Sequence, residues 1–452
     1  MKSVRHDSFG NLTRGQRDVL AAGEAMALLR TGAAGPGSLL AYGNGRSYGD
    51  SCHNGAGAIV DMRGHNRIIG LDKATGVLEA ESGALLGDII AYAAAHGFFP
   101  AVVPGTKHVT LGGAIANDIH GKNHHRRGTF GCHVLAFDLL RSDGSERTCS
   151  RAKNAELFAA TIGGMGLTGL ITRASIRLMK VSSLTIEETV TPLGSLDDYF
   201  DRAIGADETN EYAVAWIDQL ASGGSEGRGL LLTGNHARGR PGAPRGDDRT
   251  RLAVPVQPPL NMLNRPFVRM FNTAYRLAKT RGPSRRFSTH DAFFFPLDGV
   301  ADWNRLYGPR GLVQHQSVIP AEKARKTVPT LMRVAREAGQ ASFLTVLKRF
   351  GALASPGMVS FPRAGYTLTL DFAYRGARTA ELLQQLNRIT VAAGGAVNPY
   401  KDAHMSAETF AASFPEWPQL EALRDPAFMS DFWARTAGRL PARRLPLLAA
   451  AE

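Results

Sequence analysis

Three glycine-rich stretches in the first 171 residues contain the residue types that could bind a phosphorylated ligand. The first is "AYGNGRSYGDS" at residues 41–51, with glycines at positions 43, 45 and 49. Glycine lacks the Cβ atom that keeps a ligand away from the backbone, and its dihedral freedom lets successive N–H groups surround one anion. Tyr48 stands where the dinucleotide fingerprint needs its third glycine, so this motif is a different one. Taken alone, an ordinary turn explains such a stretch equally well.

Two further glycine-rich stretches favour ligand binding over ordinary turns. "PGTKHVTLGGAIANDIHGKNHH" spans residues 104–125, and "GGMGLTGLI" spans residues 163–171. Each stretch lies beside apolar runs, and three unrelated turns would be needed to explain all of them without a ligand. The pattern therefore favours one extended ligand that is wrapped by backbone.

The histidines that follow the second stretch suggest a metal site at first sight. Four candidate ligands lie close together in sequence: His124, His125, Cys132 and His133. Adjacent histidines point to opposite faces of a strand, and no carboxylate or second histidine pair stands at ligand spacing. We therefore expect no metal.

Composition bounds the class of protein. A chain of 452 residues exceeds one ordinary core, so two domains are expected. Hydrophobic residues make up 44% of the chain and charged residues 21%, as in globular proteins. The sequence has neither an eighteen-residue apolar run nor the features of a secretory signal. Three cysteines (Cys52, Cys132 and Cys149) are too few for a disulfide framework, so free thiols and a cytoplasmic location are expected.

The charge balance indicates the kind of partner. A formal net charge of +13, from 53 Lys and Arg against 40 Asp and Glu, predicts attraction to polyanions. The sequence carries no signature of a nucleic-acid module, and its basic residues are not interleaved with aromatics. We therefore expect no nucleic-acid partner, and we favour an anionic membrane surface or a phosphorylated substrate.

The distribution of predicted elements divides the chain in two. Up to residue 183, short strands and helices alternate irregularly around the glycine stretches, which indicates an α+β domain. Strand candidates follow at residues 184–190, 213–217, 229–233, 311–319, 343–348 and 366–372. Helices are predicted at residues 321–338 and 379–393. This second pattern is typical of an antiparallel sheet with helices on one face.

A basic segment at residues 236–290 interrupts the second part, and we expect it to be flexible. Residues 236–249 are rich in Gly, Pro and Arg, as disordered chains are. Residues 260–279 alternate apolar side chains with Arg and Lys. Such a stretch either lies in a lipid interface or forms a helix packed on the rest of the protein with a solvated basic face, and both alternatives stay open.

Together these runs resemble a known family. "WNRLYGPRGLVQHQSVIP" (residues 303–320), "SFLTVLKRFG" (342–351) and "KDAHMSAETF" (401–410) extend the likeness that the three glycine stretches carry. The chain resembles the vanillyl-alcohol-oxidase superfamily and, within it, the decaprenylphosphoryl-ribose 2′-oxidases, except near residues 225–290. The hexapeptide "HGKNHH" is the most specific part of the match.

The resemblance implies a fold and a cofactor. We expect an α+β protein with a PCMH-type FAD-binding domain at residues 1–183, completed by residues 396–452. A substrate-binding cap domain, with an antiparallel sheet and flanking helices, is expected at residues 184–395. Covalent relatives attach their flavin through a histidine in the first glycine stretch, where this chain has Arg46, Ser47 and Tyr48. The FAD is therefore expected to bind noncovalently.

The same resemblance implies the residues of the cofactor site. The expected FAD-binding residues are Ala41, Tyr42, Gly43, Asn44, Gly45, Arg46, Ser47, Tyr48, Gly49, Asp50, Ser51, Gly105, Thr110, Leu111, Gly112, Gly113, Asn117, Asp118, Ile119, His120 and Ile171.

It also implies the residues that would act on a substrate. Lys401 would bind the reacting oxygen or stabilise the reduced flavin, and Tyr48 or His120 would relay a proton. The expected substrate-binding residues are Lys122, Trp216, Gln314, Gln316, Lys348, Thr369 and Lys401. Gln314 and Gln316 alternate in one strand, so both amides share a face, which suits sugar hydroxyls; a merely polar strand face is the alternative. Thr369 stands where mycobacterial members carry a reactive cysteine, so covalent inhibition there is not expected.

The implied reaction is oxidation of the 2′-hydroxyl of a polyprenylphosphoryl-β-D-ribose to the 2′-keto sugar. A short-chain reductase partner would complete epimerisation to the arabinose donor for cell-envelope polysaccharide, and a quinone or oxygen would accept the electrons. The enzyme would work in the cytoplasm or at the inner face of the plasma membrane. Two alternatives stay open: an FAD-dependent oxidase of a soluble sugar, alditol or aldonolactone, and a non-enzymatic basic protein that docks on membranes.

Overall fold

The computed structural model describes residues 6–13, 17–238 and 252–441 of the chain. Its first elements are β1 (Asp18–Ala21), α1 (Ala22–Arg30), β2 (Leu39–Tyr42) and β3 (Ala58–Asp61). The three strands form a parallel sheet in the order β1-β3-β2. Ala25 and Leu29 of α1 pack into the core beneath it. The first glycine stretch leaves the carboxyl end of β2, where a parallel strand delivers a ligand-binding loop.

A second sheet follows in the chain. Its elements are β4 (Ile68–Asp72), β5 (Val77–Glu81), α2 (Leu86–Ala94), β6 (Phe98–Pro100), α3 (Leu111–Ala116), α4 (His124–Arg127), β7 (Val134–Leu140), β8 (Glu146–Ser150), α5 (Ala155–Thr161) and β9 (Leu170–Lys180). The strands pair antiparallel in the order β4-β5-β9-β7-β8, and β6 pairs with β9. Helices α2, α3 and α5 share one apolar core with this sheet.

The third and largest sheet belongs to the second part of the chain. Its elements are β10 (Ile186–Leu193), α6 (Leu196–Thr209), β11 (Tyr212–Ile217), β12 (Gly229–His236), β13 (Leu252–Ala253), α7 (Arg265–Arg281), β14 (Arg285–Ser288), α8 (His290–Phe294), β15 (Val300–Ala301), β16 (Leu312–Ile319), α9 (Ala321–Glu337), β17 (Val346–Phe350), β18 (Gly365–Ala373), α10 (Ala377–Ala392) and β19 (Ala396–Val397). Within the described residues, eight strands pair antiparallel in the order β14-β10-β12-β11-β17-β18-β16-β19, which we call the cap sheet.

The two faces of the cap sheet have different roles because strand side chains alternate. Helices α6, α9 and α10 cover one face, and Val313, Leu347 and Leu370 are fully buried against them. The other face carries polar side chains such as Gln314 and Lys348 and borders a cavity. Burial of the first face stabilises the sheet, which leaves the second face available for ligand binding.

The C-terminal part returns to the first sheet. It forms α11 (Ala407–Ser413), α12 (Trp417–Leu423) and α13 (Asp431–Arg435). Arg435 donates hydrogen bonds of 2.6 and 3.0 Å to the Asp50 carboxylate, and further ones to the backbone carbonyls of Asp402 and Met405. This guanidinium therefore ties the first glycine stretch to the loop that carries Lys401.

The architecture confirms the predicted α+β class with an antiparallel sheet in the second part. The domain boundaries at residues 183 and 395 stay predictions. Strand β9 ends at Lys180 and β10 begins at Ile186. Strand β19 pairs with β16, although it lies just past the second boundary.

Part of the segment at residues 236–290, whose expected flexibility stays a prediction, has regular structure. Residues 239–251 lie outside the described residues. In the remainder, β14 pairs with β10, and α7 packs on the protein through Val268, which is fully buried. Asn272 Nδ2 donates a hydrogen bond of 2.7 Å to Asp218 Oδ1. Buried contacts of this kind hold α7 in place, and none of the described helices is long and apolar enough to cross a bilayer.

Candidate active site

A cavity of about 810 Å³ lies between the N-terminal sheets and the open face of the cap sheet. All three glycine stretches contribute to its wall, and so do strands β11, β16, β17 and β18. Its size falls in the range of small-molecule and cofactor sites. The cavity therefore brings together segments that lie more than 300 residues apart in sequence.

The first glycine stretch forms a backbone anion site at one end, beside helix α3 of the second stretch. Gly45 adopts a positive φ of 57°, and a Cβ atom there would collide with the Tyr42 hydroxyl and the Asp7 carbonyl oxygen. Among the described residues, the backbone N–H groups of Asn44, Gly45 and Arg46 donate no backbone hydrogen bond. Thr110 caps helix α3 by accepting a hydrogen bond of 3.2 Å from the Gly113 N–H. The first three N–H groups of α3 are therefore engaged within the protein, and the free donors of the first stretch are the ones that suit a diphosphate.

Unsatisfied polar atoms in the same wall test whether a dinucleotide fits. The buried Ser51 Oγ, Ser82 Oγ and Arg46 Nε find no hydrogen-bond partner among the described residues. All three residues line the cavity. Buried polar groups are normally hydrogen-bonded, so these atoms indicate a polar ligand. The residues present fit FAD, with the diphosphate at the glycine stretches.

Lys401 borders the opposite end of the cavity, and the fully buried Asp371 lies near it without reaching the wall. Lys401 Nζ lies 4.1 Å from the centroid of the Tyr48 ring. Burial lowers the pKa of Lys401 to about 8, and the nearby Asp371 carboxylate partly offsets this effect. Burial raises the pKa of Asp371 to about 7, although Gln314 donates a hydrogen bond to its Oδ1. The Lys401 ammonium thus borders the cavity beside the Tyr48 ring, with a buried carboxyl near it.

A second basic group lies on the neighbouring strand. Lys348 Nζ is 3.2 Å from His120 Nδ1, and Gln316 Nε2 is 3.0 Å from His120 Nε2. Burial, together with the positive charges of Lys122 and Lys401, lowers the pKa of Lys348 to about 7. Burial, followed by the charges of Lys348, His124 and Lys401, lowers the pKa of His120 well below its usual value. His120 is therefore a neutral imidazole at physiological pH.

Lys122 lies between the polar end and the apolar part of the cavity. Its Nζ donates a hydrogen bond of 3.0 Å to the Phe294 carbonyl oxygen and lies near the rings of Phe293 and Phe294. Burial lowers its pKa to about 8, partly offset by Glu188. One backbone oxygen leaves further ammonium donors free, which suits an anionic group such as a phosphate.

Another part of the wall is largely apolar and continues beneath helix α7. Trp216 packs edge-to-face on Tyr275 of α7 with ring centroids 5.0 Å apart. The other apolar residues of this wall include Val214, Leu232, Phe293, Leu297, Leu344 and Val346. We call this part the apolar passage. It joins the lysine-rich end to the surface that α7 covers.

Most of the residues expected at the site border the cavity. They include His120, Lys122, Lys401 and both glutamines of β16, whose amides share one face. Gly49, Asp50 and Leu111 do not reach the wall. Leu111 is fully buried in the core, and Asp50 pairs with Arg435. Asp118 borders the cavity, but its carboxylate accepts hydrogen bonds from Ser355, Ser360 and the Gly131 N–H.

Sequence reasoning missed Asp371 and the part that Asn398 plays. Asp371 continues the alternation of Thr367 and Thr369 in β18, so strand parity alone could have placed its side chain on the cavity face. Asn398 donates a hydrogen bond of 2.8 Å to Gln316 Oε1. No local sequence signal marks that contact, because its partners are 82 residues apart.

Known proteins resemble this chain, one of them over most of its length. The FAD binding domain family matches residues 23–150, which include the first two glycine stretches. Decaprenylphosphoryl-β-D-ribose oxidase of Mycolicibacterium smegmatis is 34% identical, covering 93% of this chain and 92% of the relative. A Streptomyces coelicolor protein encoded in the mprA 5′ region is 33% identical over 75% of this chain. Cytokinin dehydrogenase 2 of Arabidopsis thaliana is 33% identical over 30% of this chain.

The glycine-lined anion site and the matched FAD binding domain define an FAD-dependent oxidoreductase, with FAD as its cofactor. Cytokinin dehydrogenase 2 matches 30% of this chain, whereas the mycobacterial oxidase matches 93% of it. The chain belongs to the decaprenylphosphoryl-β-D-ribose oxidase family. A non-enzymatic role as a membrane-docking protein is thereby excluded.

Proposed function

We propose that this enzyme oxidises the 2′-hydroxyl of a polyprenylphosphoryl-β-D-ribose to the 2′-keto sugar. The observation that carries the proposal is the composition of the cavity, which joins a buried lysine-rich end to the apolar passage. A lipid-linked sugar phosphate has the same order of parts: a sugar with hydroxyls, an anionic phosphate and an apolar chain. The name of the mycobacterial relative, 34% identical along 93% of this chain, supports the same substrate class.

The polar end supplies binding and charge for the reaction. Gln314 and Gln316 offer amides from one strand face to sugar hydroxyls, and Lys122 suits the phosphate. Lys401 binds the reacting oxygen and stabilises negative charge that develops next to it. FAD, when bound, supplies the acceptor for the hydride that leaves the carbinol carbon. The buried setting excludes water, which strengthens each of these interactions.

Two further partners complete the proposed reaction. The keto sugar retains its lipid, so a separate short-chain reductase must deliver hydride to the opposite face to yield the arabinose donor for cell-envelope polysaccharide. A quinone or oxygen must accept the electrons from the noncovalently bound cofactor. Free Cys52, Cys132 and Cys149 support a reducing, cytoplasmic setting.

The site of oxidation provides the test of this proposal. The enzyme is incubated with a polyprenylphosphoryl ribose and an electron acceptor, and the product is reduced with borodeuteride and hydrolysed. Deuterium only at C2, in a mixture of ribose and arabinose, is the expected result. Deuterium at another carbon, or none at all while a soluble alditol or aldonolactone is oxidised, would contradict the proposed substrate.

We also propose that the enzyme docks on an anionic membrane through helix α7 and its neighbours. Residues 252–290 contain seven Arg and Lys and no Asp or Glu. Eight of the thirteen large apolar side chains exposed in the described part of the chain lie at residues 252–287. Phe267, Met270 and Leu277 form an exposed stripe at helical spacing. A basic surface with exposed apolar side chains is typical of interfacial helices.

The position of α7 supports this surface as the entrance for a lipid. Its inner face contributes Tyr275 and Lys279 to the cavity wall, and its outer face carries the apolar stripe. Lys279 Nζ lies 4.0 Å from Glu188 Oε1, at the same wall. A polyprenyl chain could thus pass from the bilayer into the apolar passage without crossing water.

Sedimentation with vesicles checks the docking surface. The double variant M270E/L277E replaces side chains that are 63% and 44% exposed, and burying two apolar side chains is worth roughly 3 kcal/mol or more. Binding to phosphatidylglycerol vesicles is expected to fall at least about tenfold. Ile204→Glu, a matched control on α6 that is 51% exposed, should bind as the wild type does. Equal binding of the double variant and the wild type would contradict this orientation.

A further inference from the structure

A chain of hydrogen bonds fixes the orientation of two buried amides beside the reaction site. The Tyr400 N–H donates a hydrogen bond of 2.9 Å to Asn398 Oδ1. Asn398 Nδ2 therefore faces Gln316, and it donates a hydrogen bond of 2.8 Å to Gln316 Oε1. Because its oxygen is engaged there, Gln316 must present its Nε2 to Thr367 Oγ1 at 3.1 Å and to His120 Nε2 at 3.0 Å.

These orientations decide which nitrogen of His120 carries the proton. His120 Nε2 accepts from the Gln316 amide, so it holds no proton. A neutral imidazole has one N–H group, and Nδ1 is the nitrogen that carries it. That N–H points at Lys348 Nζ, 3.2 Å away. An ammonium group has no lone pair to accept this hydrogen bond, so the contact requires a free amine.

We propose that the Tyr400–Asn398–Gln316–His120 chain holds Lys348 as a free amine, and that this amine is the base that takes the proton of the substrate hydroxyl. The inference deepens the proposed function and rests on it for the identity of the hydroxyl. Lys348 is the base, and Gln316 and Asn398 are positioning residues that act through His120.

The proton and the electrons of the reaction balance with this assignment. The substrate hydroxyl replaces His120 as the donor to Lys348 Nζ, and its O–H bond breaks so that the amine becomes an ammonium. The carbinol C–H bond breaks with its electron pair leaving as hydride, which FAD, when bound, would accept, and the C–O bond becomes a C=O bond. The new Lys348 ammonium then faces the His120 N–H, and two hydrogen-bond donors in contact repel each other. This repulsion favours release of the proton to solvent after turnover.

The charges around Lys348 agree with a free amine. The groups that face it are His120 and His124 of the hexapeptide region, Lys122 of the same region, and Lys401 from the loop after β19. Each is either neutral or positive. Burial and the two lysine charges hold the pKa of Lys348 at about 7, whereas that of Lys401 is about 8. A base that must be deprotonated and an ammonium that must be protonated give a bell-shaped profile of kcat/KM.

The tautomer of His120 is the first readout, and it does not depend on activity. Nitrogen spectra of the FAD-loaded protein with ¹⁵N-labelled histidine, assigned through the signals lost in His120→Gln, report which ring nitrogen is protonated. A neutral Nδ1–H form is expected in the wild type between about pH 7 and pH 8, the window between the pKa values of Lys348 and Lys401. A charged or Nε2–H imidazole would overturn the proposal, whatever substrate the enzyme turns over.

The pH profile is the second readout. Gln316→Met removes the amide that donates to His120 without adding charge, so His120 can switch tautomer and accept from a Lys348 ammonium. The acid limb of kcat/KM is expected to move upward by about one pH unit, the size of one lost hydrogen bond. Thr367→Val removes the other acceptor of Gln316 but keeps the hydrogen bond from Gln316 to His120. The acid limb of kcat/KM should therefore stay where it is in the wild type.

Lys348→Arg tests whether Lys348 acts as a base or only as a positive charge. A guanidinium keeps the positive charge but stays protonated, so it cannot accept a proton. Turnover is expected to fall at least about 100-fold with the cofactor still bound. Turnover within a few-fold of the wild type, or an acid limb that does not move in Gln316→Met, would overturn the role of Lys348 as the base. A wild type with the expected tautomer that fails to oxidise polyprenylphosphoryl ribose would instead refute the proposed substrate.

Discussion

Replacing Lys401 by methionine is expected to lower kcat/KM at least about 100-fold while the protein still folds and binds FAD. Methionine keeps the length and apolar stem of the side chain but removes the ammonium, which lies 4.1 Å from the centre of the Tyr48 ring. Loss of one preorganised charge at a developing oxyanion costs about this much in other enzymes. Stopped-flow reduction of the cofactor by the lipid-linked sugar measures the effect on the chemical step.

A surface lysine provides the control for Lys401. Lys326→Met on helix α9 makes the same chemical change at an exposed position, and it should leave both cofactor binding and reduction unchanged. If Lys401→Met reduced the cofactor as fast as the wild type does, the assignment of Lys401 to the reacting oxygen would be wrong.

Gly45→Ala is expected to yield protein that purifies largely without FAD. The backbone at Gly45 has a φ of 57°, where an L-residue loses roughly 1–2 kcal/mol. The added Cβ would also collide with the Tyr42 hydroxyl and the Asp7 carbonyl oxygen, so the loop must move. Movement turns the N–H groups of Asn44 and Arg46 away from the diphosphate. A loss of affinity of more than about tenfold follows, and titration of apoprotein with FAD measures it.

Gly23→Ala is the matched control for this variant. Gly23 lies in helix α1, is exposed, and has nothing within 4 Å of an added Cβ. Its FAD content should equal that of the wild type. A Gly45→Ala protein that binds FAD as tightly as Gly23→Ala would show that the first glycine stretch does not hold the diphosphate.

The sequence was informative where a local pattern has a local physical cause. Glycines cluster where backbone must approach a ligand, so the three stretches could be placed before their relative positions were known. Strand parity put Gln314 and Gln316 on one face for the same reason. The predicted helices of the cap region, at residues 321–338 and 379–393, match α9 and α10 closely because both have long amphipathic patterns.

Other features escaped prediction because their causes are not local. Helix α3 lies inside the second glycine stretch, where two glycines mask its helical pattern and the Thr110 cap initiates it. The contact between Arg435 and Asp50 joins residues 385 positions apart. Lys401 and Asp371 also lie near each other although they come from different elements, so no local pattern marks this pair. The C-terminal helices α11, α12 and α13 are only five to seven residues long, too short for a periodic pattern to show.

The anaerobic absorption spectrum of the purified enzyme is the decisive measurement for the proposed reaction. A flavin spectrum that is bleached by stoichiometric polyprenylphosphoryl ribose is expected. Soluble ribose 5-phosphate, which lacks the apolar chain that the passage accommodates, should bleach it far more slowly. A flavin that the lipid-linked sugar leaves oxidised, but that a soluble sugar, alditol or aldonolactone reduces, would contradict the account and assign the cavity to another substrate.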